Sequence, residues 1–128
     1  MNALFDAIWA RFAGSPLAAI LTALYNTEAD DGAVYPYGVV KLPSNVPGDG
    51  EFGVDWEDFL ITFTFYDDAT TMTVLGDAFE ALKVLFDHHD LVVAGYETIT
   101  MEREPANLIR VEQVWQYDVT YRLLIEKT

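Results

Sequence analysis

A chain of 128 residues with 52% hydrophobic and 14% aromatic content can bury one core but not two, which excludes a disordered chain and predicts a single domain over residues 1–128. Its 21 Asp and Glu against seven Lys and Arg leave a net charge of −14, so binding to a phosphate backbone is unfavourable over most of the surface and nucleic acid is not an expected ligand. Cysteine is absent, which removes disulfides and thiolate chemistry and fits assembly in a reducing compartment.

In chain order, NALFDAIWARF places Leu4, Phe5, Ile8, Trp9 and Phe12 at helical intervals behind Asn2, a candidate cap. Gly14 ends this helix. SPLAAILTALY then restarts with Ser15 at the cap and Pro16 at the first helical position, with Leu17, Ile20, Leu21 and Leu24 predicted on one helix side. The same apolar run is not expected to act as a signal peptide, because Asp6 and Arg11 precede it without a basic cluster. Its uncharged stretch, Phe12 to Thr27, is too short and too interrupted to span a bilayer.

NTEADDGA reads as a turn, and VYPYGVVKL as a strand that Pro36 confines to an edge or to pairing from Val39 onward. After the PSNVPGDG break, WEDFLITFTFY alternates Phe59, Ile61, Phe63 and Phe65 with Leu60, Thr62 and Thr64, a period that only a strand produces. DDATT offers turn and cap residues. The stripe Leu75, Ala78, Phe79, Leu82, Leu85 and Phe86 then marks an amphipathic central helix over Thr73 to Asp87. LVVAGYETITME and IRVEQVWQYDVTYRLLIEK read as two final strands, joined by a turn at Pro105 and Asn107. This order predicts an α+β fold, a mixed four-stranded sheet with helices packed on one face and the other face wetter.

No catalytic pattern stands out. DHHD, residues 87–90, offers imidazole and carboxylate ligands, but adjacent histidines point apart and His88 and His89 are the only two in the chain, so a helix-end turn is the preferred reading and no metal site is expected. GDGEFGVDWED holds Asp49, Glu51, Asp55 and Asp58 without the ordered spacing of a calcium loop. The pairs Asp67–Asp68 and Glu102–Glu104 are ordinary in so acidic a chain. Ser15 and Ser44 lie outside any nucleophile elbow, and no glycine-rich loop follows a strand into a helix. No cofactor and no enzymatic activity are expected. Trp115 and Tyr121 should be core residues, whereas Tyr66 and Tyr96, assigned to the opposite parity, are candidates for subunit contacts.

Taken together, LPSNVP, WEDFLITFTFYDD, MTVLGDAFEALKVLFD and VWQYDVTYRLLIEK, with YPY at Tyr35 to Tyr37, resemble the small tail completion or tail terminator proteins of tailed bacteriophages over nearly the whole chain. The resemblance implies a non-enzymatic ring, a hexamer, that caps the tail tube, stops its polymerisation and presents the head-attachment surface. The implied partners are further copies of the chain, the tail tube protein and a head–tail connector protein. The implied location is the virion tail, and the host cytoplasm during assembly, without membrane contact. Residues 26–58 hold Glu28, Asp30, Asp31, Asp49, Glu51, Asp55, Glu57 and Asp58 against Lys41 alone. In such a ring Asp49, Glu51, Asp55, Glu57 and Asp58 are expected at an interface or at the lumen, where they would repel passing DNA. A neck connector and a monomeric α+β ligand-binding or adaptor domain are the alternatives.

Overall fold

The computed structural model describes residues 2–47, 56–87 and 91–127. In chain order the elements are α1 (Asn2–Phe12), α2 (Pro16–Ile20), β1 (Ala23–Asn26), β2 (Tyr37–Pro47), β3 (Trp56–Asp67), α3 (Thr73–Phe86), β4 (Tyr96–Arg103), β5 (Asn107–Val111) and β6 (Val114–Lys127). The six strands form one mixed sheet in the order β1-β2-β3-β6-β4, with β5 following β4 along the same side of β6. The class is therefore α+β as expected. The four-stranded sheet is corrected: β1 and β5 are additional strands among the described residues.

Both corrections have local causes. The second helix was expected to run to Leu24, but Leu21 adopts an extended conformation and closes α2 after one turn and a half. Thr22 then fixes the exit, its N–H donating to the Pro36 carbonyl at 2.8 Å and its hydroxyl to the carbonyls of Val34 and Pro36. Ala23–Asn26 pairs in parallel with Tyr37–Val40, and Leu24 is buried in either geometry, so its apolar spacing did not distinguish helix from strand. At the other end of the sequence, the chain reverses at Glu112 and Gln113, both with positive φ, and not at Pro105 and Asn107. Two left-handed residues make the tight turn that suits a two-residue hairpin, so Asn107–Val111 folds back on Val114–Asp118. Leu91 and Val93, expected within a strand, lie before β4 as buried core residues.

The longest ladder is β3 against β6, antiparallel from Trp56↔Glu126 to Asp67↔Trp115 without a register shift. Parity then sorts the side chains. Phe59, Ile61, Phe63 and Phe65 of β3 and Val119, Tyr121, Leu123 and Ile125 of β6 all turn to the helix side and are buried. They form one cluster with Leu4 and Ile8 of α1, Leu17 of α2, and Leu75, Ala78, Leu82 and Phe86 of α3. Trp115 and Tyr117 pack against its margin. Gly38 on β2 admits this packing, since a Cβ there would meet Cδ1 of both Leu24 and Phe65 at 3.0 Å. In α1, Arg11 reaches across to the last turn of α3, where Nε and Nη2 donate to the Leu85 carbonyl at 3.0 and 2.6 Å and satisfy an orphan helix-end acceptor.

One polar knot sits at the end of α3. The Tyr121 hydroxyl donates to Asp87 Oδ1 at 2.5 Å, and Arg103 Nε donates to the same carboxylate at 3.1 and 3.2 Å. Burial, then the bond to Asp87 and its charge, push the Tyr121 phenol well above its ordinary value of 10.0, while Arg103 opposes the shift. A folded value raised above the unfolded one contributes stability that is complete below pH 10 and is lost as pH rises past it. Tyr121→Phe should therefore flatten the fall in urea midpoint between about pH 9 and pH 11. An alkaline slope identical to that of the wild type would show that Tyr121 does not carry this linkage.

Candidate functional site

Among the described residues, no helix or strand covers the second face of the sheet. Its residues are the other parity of the same strands: Asp58, Leu60, Thr62, Thr64 and Tyr66 of β3 beside Gln116, Asp118, Thr120, Arg122 and Leu124 of β6. In the middle it is knitted by short polar bonds. Thr62 and Thr120 share a hydroxyl–hydroxyl bond at 3.1 Å, and the Thr64 hydroxyl donates to Asp118 Oδ1 at 2.8 Å. Gln116 Nε2 adds contacts of 3.3 Å to both Asp118 oxygens. Toward one end, Arg122 Nε donates to both oxygens of Asp58 at 3.1 and 3.2 Å across a diagonal of the ladder. This bond to Asp58, and then the charge of Asp58, hold the Arg122 guanidinium above its ordinary value.

The opposite end is aromatic. Tyr35 stacks on Tyr37 with centroids 5.4 Å apart, Tyr37 stacks on Tyr66 at 5.1 Å, and Tyr25 meets Tyr37 edge-on at 5.9 Å. Two causes bring these rings together. Tyr37 and Tyr66 are direct cross-strand partners, and Tyr25 on β1 lies one row along from Tyr37. None of the four hydroxyls has a hydrogen-bond partner among the described residues. Burial raises the phenol of Tyr37, aided by the neighbouring Tyr35, Tyr66 and Tyr25, and burial raises that of Tyr66, aided by Asp118 and Tyr35. Both stay neutral throughout the physiological range. Beside the stack runs a shallow groove of about 200 Å³ lined by Thr27, Glu28, Tyr37, Val39, Lys41 and Tyr66.

A second groove, about 530 Å³, lies at the free edge of β4, between Asp87 and the run Thr100 to Arg103. Of its two carboxylates, Asp87 is already engaged by Tyr121 and Arg103 and so is not a free base, while Glu102 lies on β4. Among the described residues no cluster of three or more His, Asp or Glu stands close enough to hold a metal ion.

The expected interface residues do not form one group. Asp58 and Tyr66 share the open face but lie about 26 Å apart along β3 at ~3.3 Å per residue. Glu57 has the opposite parity, beside Ile125. Tyr96 is on the helix-covered side, half-buried against the core, because β4 carries a register shift between Thr98 and Thr100 that swaps its parity. Asp49, Glu51, Asp55, His88 and His89 lie outside the described residues. Tyr25 and Gln116 were not singled out from the sequence, and Tyr37 only as part of the YPY stretch. Tyr35 lies before β2, so its stacking on Tyr37 does not follow from strand parity.

No family model matches the sequence, and no curated protein matches it. Among solved structures, the chain is similar to one from the virion of a native gene transfer agent (GTA) particle, with a TM-score of 0.80 and 22% identity, covering 98% of this chain and 96% of the other. At that identity the likeness establishes a shared fold. Among the described residues no helix is long and apolar enough to cross a membrane.

The Thr64–Asp118 bond gives the open face a direct test. Thr64→Val keeps the shape and removes the donor to a carboxylate, which should cost about 1–2 kcal/mol in urea unfolding. An unchanged midpoint would show that the bond contributes nothing to holding the face in order.

Proposed function

We propose that this chain is a structural virion protein, a tail completion or terminator protein that closes as a ring, a hexamer, on the end of a tail tube. There it stops tube polymerisation and presents the surface for head attachment. The observation that carries this reading is the full-length fold shared with a chain of a gene transfer agent virion at a TM-score of 0.80. The sequence resemblance to phage tail completion proteins, drawn from strand and helix order, points the same way. An uncovered sheet face that combines aromatic rings with a polar lattice is chemistry suited to protein contacts, since Tyr is enriched at interfaces. The protein works without enzymatic chemistry, and its partners are further copies of itself, the tail tube protein and the head–tail connector protein.

The acidic charge has a physical part in this reading. Where Asp49, Glu51, Asp55 and Glu57 face the lumen of such a ring they repel phosphate, so DNA passes without tight contacts. Asp58 is paired to Arg122 and contributes less field.

Native mass by light scattering, with negative-stain images of the protein alone and mixed with tail tubes, tests the reading. Rings of about six subunits on tube ends, with tube growth arrested, are expected. A protein that stays monomeric at every concentration and leaves tube ends bare and growing would overturn it.

A further inference from the structure

On the open face, one row of residues crosses the whole sheet without a charged side chain. Tyr37 on β2 pairs with Tyr66 on β3, Tyr66 with Gln116 on β6, and Gln116 with Ile109 on β5. The row is extended differently at its two ends. At the β1–β2 side, Tyr25 and Tyr35 enlarge the ring stack and Val34 stands 64% exposed beside it. At the β5 side, Ile109 and Val111 share the open-face parity and are 38% and 54% exposed. These ends belong to opposite edges of one sheet.

Charge decides which partner such a row suits. A cationic partner would be drawn to the many carboxylates elsewhere on a chain of net charge −14, and gains nothing from its uncharged strip. A second copy carries the same net charge and is repelled everywhere except where neither surface is ionised. Of the charged groups about the row, Asp118 is occupied by Thr64 and Gln116, Glu28 lines the groove beside Tyr37 and Tyr66 together with the opposite charge of Lys41, and Arg110 turns to the other face, over the Trp115 ring with Nη1 on the Ala69 carbonyl. The strip therefore meets like-charged copies at the least electrostatic cost. An aromatic end and an aliphatic end are also different surfaces, and a ring closes through contacts between two different surfaces of each subunit.

We infer that copies of this chain associate side by side, with Ile109 and Val111 of one copy seated on the Val34–Tyr35–Tyr37 end of the next. The inference rests on the ring reading above and assigns its subunit contact. Sheet extension through the edges is disfavoured, since β1 has only four residues and β4 carries a register shift with Glu97 and Glu102. The unpartnered tyrosine hydroxyls then find acceptors on the neighbouring copy, as buried phenols require.

Two variants with charge placed at opposite ends test this, each checked for native circular dichroism. Val111→Glu, with Ile109→Glu as its substitute, breaks the aliphatic end; Tyr35→Glu, with Val34→Glu as its substitute, breaks the aromatic end. Each alone is expected to weaken self-association by at least about tenfold. Mixed, they should form a one-to-one heterodimer and nothing larger, because one intact end of each kind remains to make a single contact. Raising salt from about 0.05 M to about 0.5 M should strengthen wild-type association by screening like charges. Variants that assemble as the wild type does, a mixture without heterodimer, or wild-type rings loosened by salt would overturn the inference and leave the ring reading standing. A wild type that never associates, alone or on tube ends, would overturn both.

Discussion

The β3–β6 ladder is the constraint on which the rest of the structure depends. It keeps one register from Trp56↔Glu126 to Asp67↔Trp115, and a strand has a side-chain period of two. A slip of one residue would turn Phe59, Ile61, Phe63 and Phe65 outward and point Thr62 and Thr64 into the apolar core, so the register is held by the core as much as by the backbone bonds. The stack of Phe63 on Phe86 at 5.2 Å and the edge contact of Phe63 with Tyr121 at 6.2 Å couple that register to α3. Fixing one parity in the core fixes the other as a surface.

From this constraint follows a molecule with two unlike sides. All three helices lie over one face, where their apolar stripes and the inward strand residues share a single cluster. The far face keeps a polar lattice of Thr62, Thr64, Gln116, Asp118 and Thr120 between an ion pair at one end and a tyrosine stack at the other. A face ordered by its own cross-strand bonds has little conformational entropy left to lose on meeting a partner. The two sides thus differ in kind: one holds the fold, and the other is left uncovered by the described helices and strands.

Much of this was legible in the sequence because periodicity is a strong signal where an element is long. The alternation in residues 56–67 and 114–127, and the stripe of α3, read correctly as strand, strand and helix. Failures fell on short elements and on one parity. β1 is four residues whose buried Leu24 also fits a helix face, and its partner Tyr37–Val40 arrives only after a turn, so tertiary pairing overrode local propensity. The hairpin turn at Glu112–Gln113 lacks the Gly or Asn that usually marks such a turn. Tyr96 was assigned the wrong side because a register shift within β4 is invisible to a period-two count. The tyrosine stack needed strand order as well as spacing, since Tyr25, Tyr37 and Tyr66 come from three different strands.

If copies meet as inferred, the uncovered face is where assembly happens. Hydroxyl-radical footprinting of the free chain and of the chain on tail tubes measures this directly, because tyrosine rings label in proportion to their solvent exposure. Strong loss of labelling at Tyr35, Tyr37 and Tyr66 on assembly, with Tyr121 unlabelled in both states, is the predicted result. Equal labelling of the three rings in free and assembled protein would contradict it.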